Sequence, residues 1–170
     1  MSVFSRFYPD KRIASAYEID YEKMYEDGIG GIIFDIDNTL VPHGFPADDR
    51  AIELFERIHK IGLKTALVSN NKEPRVKPFA QAVDSLYIFK ADKPSKKGYI
   101  KAMELMGTNV KTTIFVGDQL FTDVYGAKRC GIFSILASPI NPKEEIQIVL
   151  KRYLEKIVLY FYKKEIDNAD

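Results

Sequence analysis

The sequence of 170 residues contains one cysteine, two histidines and no tryptophan. A single cysteine, Cys130, excludes an intramolecular disulfide and any zinc site built on cysteine clusters, and it suits a reducing compartment. Two histidines leave too few imidazoles for a histidine-rich metal centre. Neither sign of charge is in excess: 25 Lys and Arg stand against 24 Asp and Glu. That balance argues against a protein held to nucleic acid by bulk electrostatics, so no nucleic-acid partner is expected. Long hydrophobic runs are missing too. Nothing approaches the ~20 apolar residues of a bilayer span, and Met1 to Arg12 lacks the apolar segment and small-residue cleavage site of a secretory signal. These absences predict a cytoplasmic protein that meets a membrane, if at all, only peripherally.

What is present is enough apolar material for a core, 46% of residues, in a length that suits one domain across residues 1–170. Residues 31–36, 64–68, 86–89, 112–116 and 133–136 are apolar runs of strand length. Between them lie segments of helical periodicity. In residues 47–61, Ala51, Leu54, Phe55, Ile58 and Ile61 share one face before Gly62. Residues 74–82, 95–106 and about 120–129 supply further helices, with Ile100, Met103 and Leu105 as the apolar residues of the second. Alternation of this kind predicts an α/β fold, a parallel sheet with helices on both faces. The core spans about 28–140. An extension, 1–27, precedes it and holds a short helix at 20–27, and a helix at about 143–164 follows.

In parallel sheets of this type chemistry gathers beyond the carboxyl ends of the strands. Asp35 and Asp37 close the first strand, within Phe34-Asp35-Ile36-Asp37-Asn38-Thr39-Leu40. Two carboxylates in an apolar run are costly to desolvate unless a cation or hydrogen bonds compensate. At i and i+2 they lie on one side of the chain, an arrangement in which one carboxylate can attack a phosphorus atom while the other shuttles a proton. Ser69 and Asn70 follow the second strand and offer a hydroxyl and a backbone N–H to a phosphoryl oxygen. Lys93 follows the third and would neutralise the nucleophile. Asp118 ends the fourth, and Asp123 stands five residues on. Oxygen donors of this kind suit Mg²⁺, which uses few carboxylates and keeps several waters. Taken singly, each motif also has a structural use: Asp37-Asn38-Thr39 and Ser69-Asn70 as turns, Asp123 as a helix cap.

In order, Asp35-x-Asp37-x-Thr39, Ser69-Asn70, Lys93-Pro94 and Gly117-Asp118-x4-Asp123 resemble the haloacid dehalogenase (HAD) superfamily in its aspartate-nucleophile phosphatase branch. The stretch from Ile19-Asp20 through Gly28-Ile29-Gly30-Gly31 to Pro42 narrows the resemblance to the YqeG-type phosphatases of subfamily IIIA, themselves similar to the phosphatidylglycerophosphate phosphatases of mitochondria and plastids. The resemblance implies a HAD-like Rossmannoid three-layer fold with five parallel strands in the order 5-4-1-2-3. It implies Asp35 as nucleophile, Asp37 as general acid and base, and Thr39, Ser69, Asn70 and Lys93 around the phosphate. Mg²⁺ would be held by Asp35, the Asp37 backbone carbonyl and Asp118, with Asp123 supporting the metal's waters or Lys93.

Only Asn38 to Leu67 separates the first two motifs and only Asn71 to Asp92 the next two, so neither interval has room for a cap domain. An open site favours a phosphate on a large or surface-bound molecule, such as a phospholipid headgroup. Five lysines against Asp92 between Lys90 and Lys101 give the rim a local charge of +4, which draws anions. A nucleotide, a sugar phosphate or a phosphoprotein fits the same motifs, and so does a silent scaffold on the same fold. A helix over 143–164 would set Leu150, Leu154, Ile157 and Phe161 on one face and Arg152, Lys156 and Lys163 roughly opposite. That pattern suits packing on the sheet edge, a partner helix, or a helix on an anionic membrane surface.

Overall fold

The computed structural model describes residues 4–141 and 146–167, with side chains of the last helix from 149. Six parallel strands form one sheet: β1 (Lys11–Ile13), β2 (Gly31–Phe34), β3 (Lys64–Val68), β4 (Leu86–Ile88), β5 (Thr113–Gly117) and β6 (Phe133–Ala137). Their spatial order is β1-β6-β5-β2-β3-β4. The five expected strands are β2 to β6, in the expected relative order, and the expectation of five is corrected to six by β1 at the edge. That strand escapes sequence reading because Lys-Arg-Ile is short, two-thirds charged and largely exposed. It is held at its entrance instead. The Asp10 carboxylate accepts the Ser134 backbone N–H and hydroxyl, each at 2.8 Å, and the Lys128 ammonium at 3.0 Å. Those contacts fix the register Lys11 to Ile135.

Side-chain alternation along the strands sorts the core into two layers. Ile32, Phe34, Leu67, Ile114 and Val116 face α1 (Tyr21–Glu26), α2 (Asp49–Ile61) and α3 (Glu73–Ala82). Ile33, Ala66, Val68 and Phe115 face α4 (Lys96–Met106) and α5 (Tyr125–Cys130). Helix α2 buries Ala51, Leu54, Phe55 and Ile58, as its periodicity predicts. In α4 the buried face is Tyr99, Ala102, Met103 and Met106, while Ile100 and Leu105 are exposed. The expected apolar residues of that helix are therefore only partly the packed ones. Gly98 lets α4 approach Val68 of β3, where a Cβ would lie 3.2 Å from the valine methyl, and Tyr99 packs its ring against Phe115 of β5.

The last helix, α6 (Ile146–Asp167), departs most from expectation. Its expected start at 143–145 lies outside the described residues. Its inward residues are Glu155, Val158, Leu159 and Tyr162, beside Tyr8, Leu120 and Leu136. Leu150, Leu154 and Ile157 face outward. Arg152, assigned by periodicity to the far side, points inward.

Candidate active site

The strand ends bring together most of the residues singled out by sequence. Asp35 follows Phe34 of β2, and the chain then folds tightly, with Asn38 N–H donating to the Val41 carbonyl at 2.7 Å. Asn38 adopts φ +61°, a left-handed conformation that asparagine tolerates well. Carboxylate oxygens of Asp35, Asp118 and Asp123 lie within 4.8 Å of one another, and all three residues are buried. Lys93 joins two of them: its ammonium donates to Asp35 Oδ1 at 2.6 Å and to Asp123 Oδ1 at 2.7 Å. The loop carrying Lys93 is tied down by Asn70, whose Oδ1 accepts the Lys93 N–H at 2.7 Å and whose Nδ2 donates to the Lys93 carbonyl at 3.3 Å. Asn70 thus uses its side chain to place the lysine.

Asp123 is committed on both oxygens. Besides Lys93, it accepts the backbone N–H groups of Asp118 and Gln119, each at 3.1 Å. The approach depends on Gly117, since a Cβ there would lie 2.5 Å from Asp123 Oδ2. The wide helical turn Leu120–Val124 swings Asp123 back under the strand end.

Asp37 is a separate case. Its carboxylate is gripped by Arg75 at 2.8 Å, by Asn71 Nδ2 at 2.6 Å and by the Gly44 N–H at 2.8 Å. Burial alone would raise its pKa, but the bonds from Arg75 and Gly44 prevail and hold it below the usual carboxylate value. Asp35 goes the other way. Desolvation pushes it up to about 6 against the pull of Lys93, with the charges of Asp123 and Asp37 adding to the rise. Two carboxylates two residues apart are thus set to opposite protonation tendencies. Burial, then the charges of Asp35 and Asp123, also raise Asp118 well above its ordinary value despite Arg152.

Thr39 donates its hydroxyl to Asp118 Oδ1 at 3.1 Å, and the Ser69 hydroxyl is buried, accepting from the Asn71 backbone N–H at 3.1 Å. Sequence reading passed over Asn71 and Arg75, although both follow closely on the Ser69 turn. It also missed Arg152 and Glu155, for which no local signal exists, because they lie more than thirty residues beyond Asp118. Arg152 donates to Asp118 Oδ2 at 2.5 Å and to its backbone carbonyl at 2.6 Å. Glu155 pairs with Arg152 at 3.0 Å and accepts the Leu120 N–H at 2.8 Å. Beside Asp118 a cavity of about 180 Å³ opens between the end of β6 and α6, with Arg12, Ser138, Arg152, Lys156 and Leu159 in its walls.

The donor set fits a divalent cation. Asp35, Asp118 and Asp123 are the buried carboxylates close enough to share an ion, and behind them Glu155 is a fourth buried carboxylate, with Lys93 and Arg152 as the two cations in contact with the cluster. With all four ionised the cluster carries a formal excess of two negative charges, which a divalent ion would offset.

A family model for haloacid dehalogenase-like hydrolases matches residues 42–131, from just past the Asp35 loop through Lys93 and Asp118. The probable phosphatase YqeG of Bacillus subtilis is 37% identical over 160 residues, covering 94% of this chain and 93% of its own. The chain belongs to the haloacid dehalogenase-like hydrolases. It falls in their phosphatase branch, in agreement with the order of its motifs. A more distant relative is the chloroplastic and mitochondrial phosphatidylglycerophosphate phosphatase 1 of Arabidopsis thaliana. It is 26% identical over 81% of this chain, which spans only 45% of that protein. The fold recurs in the cobalt-bound deoxy-D-mannose-octulosonate 8-phosphate phosphatase of Haemophilus influenzae, with a TM-score of 0.55 at 14% identity over 66% of this chain and 80% of that one. A protein from Listeria monocytogenes serotype 4b gives a TM-score of 0.54 at 18% identity, covering 69% and 85% of the two chains. Among the described residues, the intervals where this family's caps arise hold only α2 and β3, then α3 and β4. No helix among them is long and apolar enough to cross a membrane.

Proposed function

We propose that this hydrolase cleaves phosphomonoesters with Mg²⁺ through an aspartyl-phosphate on Asp35, and that its substrate is the phosphate of a phospholipid headgroup. The observation that carries the reading is the buried meeting of Asp35, Asp118 and Asp123 around Lys93 at the carboxyl ends of β2 and β5. An Asp35 oxygen attacks phosphorus while the ester oxygen departs with a proton from Asp37. Water then attacks the aspartyl-phosphate, gives a proton to Asp37 and releases inorganic phosphate, restoring the Asp35 carboxylate. Lys93 spreads the charge of Asp35 and of the transferring group, and Thr39, Ser69 and the Asn70 N–H hold phosphoryl oxygens. Asp35, Asp118 and the Asp37 backbone carbonyl would hold Mg²⁺, which supplies further neutralisation of the phosphoryl charge. Asp123, already bonded to Lys93 and two backbone N–H groups, supports that set from behind.

Arg75 keeps Asp37 ionised, the state needed to accept the water's proton in the second step. For the first step the carboxylate must leave Arg75 and carry a proton. The lipid reading is supported by the uncapped site, by Arg12 and Lys156 in the cavity wall beside Asp118, and by the name of the distant Arabidopsis relative. The test is a panel of phosphatidylglycerophosphate in mixed micelles, a nucleotide, a sugar phosphate, a phosphopeptide and an aryl phosphate, each with Mg²⁺ and with chelator. The lipid phosphate should be preferred by at least ~10-fold in kcat/KM, a difference of ~1.4 kcal/mol in transition-state binding, and chelator should stop turnover. Preference for a soluble phosphate overturns the lipid reading, and hydrolysis of none overturns the reaction.

A further inference from the structure

Helix α6 has more apolar surface than it packs: Val158, Leu159 and Tyr162 turn inward, and a second apolar face is left exposed. A helix on a globular core ordinarily turns its apolar stripe inward and its charges out. Here Leu150 is 66% exposed, Tyr153 63%, Leu154 52%, Ile157 50% and Tyr160 65%, while Glu155 is buried. These five, with Phe161 at their edge, form one contiguous face along a helix ~33 Å long at 1.5 Å per residue. A patch of that kind marks an interaction surface, because water contact with so many large side chains is costly.

We infer that the outward face of α6 docks on an anionic lipid bilayer, lying in the interface plane and holding the catalytic mouth beside the headgroups. The proposal rests on the lipid-phosphate reading of the site and supplies the surface that reading needs. Charge decides the occupant. Among residues 149–167, Lys151, Lys156, Lys163 and Lys164 are exposed, against Glu165 and Asp167 at the extreme end. Glu165 is moreover within 3.4 Å of the Tyr8 hydroxyl, toward the body of the protein. Leucine, isoleucine and tyrosine flanked by lysine are the composition of a helix lying at an anionic interface. A second copy of this helix would instead set four exposed lysines on each side against only Glu165 and Asp167, a net excess of like charge. Position agrees with charge. Lys156 borders both the outer apolar groove and the cavity beside Asp118, so a lipid drawn to the outer face lies next to the site. On its inner side the same helix is bonded to Asp118 through Arg152 and to Leu120 through Glu155.

The test is co-sedimentation of the full chain with vesicles of phosphatidylglycerol and phosphatidylcholine in equal parts, and with phosphatidylcholine alone, at low and high salt. The wild-type protein should pellet with the anionic vesicles at low salt, bind less at high salt, and stay in solution with phosphatidylcholine. Leu154→Asp combined with Ile157→Asp should weaken binding ~10-fold or more, since two buried apolar side chains are lost from the interface. Because the chain has no tryptophan, Tyr160→Trp gives a single fluorescent reporter that preserves the apolar face. Its emission should shift to the blue on anionic vesicles and remain unshifted without them. No binding by the wild type at low salt, or unshifted indole emission from pelleted Tyr160→Trp protein, overturns the proposal. So does a concentration-dependent dimer that the double substitution converts to monomer. The substrate panel run on the same preparation separates the two readings: preference for the lipid phosphate without vesicle binding overturns the docking surface alone, and vesicle binding with preference for a soluble phosphate overturns the lipid-phosphate reading while supporting the surface.

Discussion

The sheet buries uncharged side chains on its two faces, most of them apolar, whereas α6 buries the charged Glu155 beside Val158. In the sheet, Ile32, Ile33, Phe34, Val116 and their neighbours are sealed between helices, and the carboxylates of the site stand just beyond the ends of β2 and β5. In α6 the charged Arg152 and Glu155 turn inward while leucine, isoleucine and tyrosine face out. The first region is organised by removal of apolar area from water, a non-directional force that tolerates modest changes of shape. The second is placed by directional bonds to Asp118 and Leu120, with Val158 as its fully packed apolar contact. The sheet therefore builds the site, and α6 attaches to it at a candidate metal ligand. Among the described residues, nothing covers its apolar face.

That contrast breaks most directly at the sheet end. Asp35→Asn should reduce hydrolysis of an aryl phosphate to the background rate, because an amide is neither a nucleophile nor a good metal ligand; turnover near the wild-type level would remove Asp35 from the reaction. Asp37→Asn should cost ~10²–10⁴ in kcat, the range for one general acid or base. Arg75→Gln sharpens the same point through pH. Arg75 holds Asp37 low, and the second step needs it ionised, so losing the arginine should move the acid limb of that step to higher pH. An unmoved limb would separate Asp37 from the water's proton.

On the other side of the comparison, Arg152→Ala should lower divalent-metal affinity, read by calorimetry, by ~10–100-fold, the usual cost of removing a group that orients a ligand. Loss of a positive charge works in the opposite direction by attracting the cation, so tighter binding would show that charge outweighs orientation here. The smallest effect is expected at the sheet edge. Burial raises the pKa of Asp10, but its bonds to Ser134 and Lys128 prevail and lower it. A lowered folded pKa contributes stability above the unfolded value and loses it as pH falls through the folded one. Asp10→Asn should therefore lower Tm slightly at neutral pH, and the difference should disappear in acid. A gap that persists in acid would mean the carboxylate's charge is not what holds β1.

How far the fold could be read from sequence follows the same division. Strands β2 to β6 announce themselves as buried apolar runs, and α2 by a regular stripe, because in both the pattern and the burial agree. Edge strand β1 carries no such pattern; its pairing is decided by Asp10, whose partners lie more than a hundred residues away. The orientation of α6 was misleading because periodicity identifies an apolar face without saying what covers it. At the site, Asp35, Ser69, Asn70, Lys93, Asp118 and Asp123 were legible because their spacing follows the strand ends, and Thr39 through the family resemblance; the structure places all of them at those strand ends. Asp37 was legible as a residue but not as a geometry, since its grip by Arg75 and Asn71 depends on how α3 enters. Arg152 and Glu155 were out of reach, as nothing near them in the chain refers to Asp118.

The central claim is that phosphorus is transferred to Asp35, and it is tested most directly by trapping the intermediate. Enzyme mixed with an aryl phosphate and Mg²⁺, quenched rapidly and treated with borohydride, should yield homoserine at position 35 by peptide mass spectrometry, with none in a control lacking substrate. Reduction at another aspartate, or unmodified Asp35 under conditions of rapid turnover, would contradict the account.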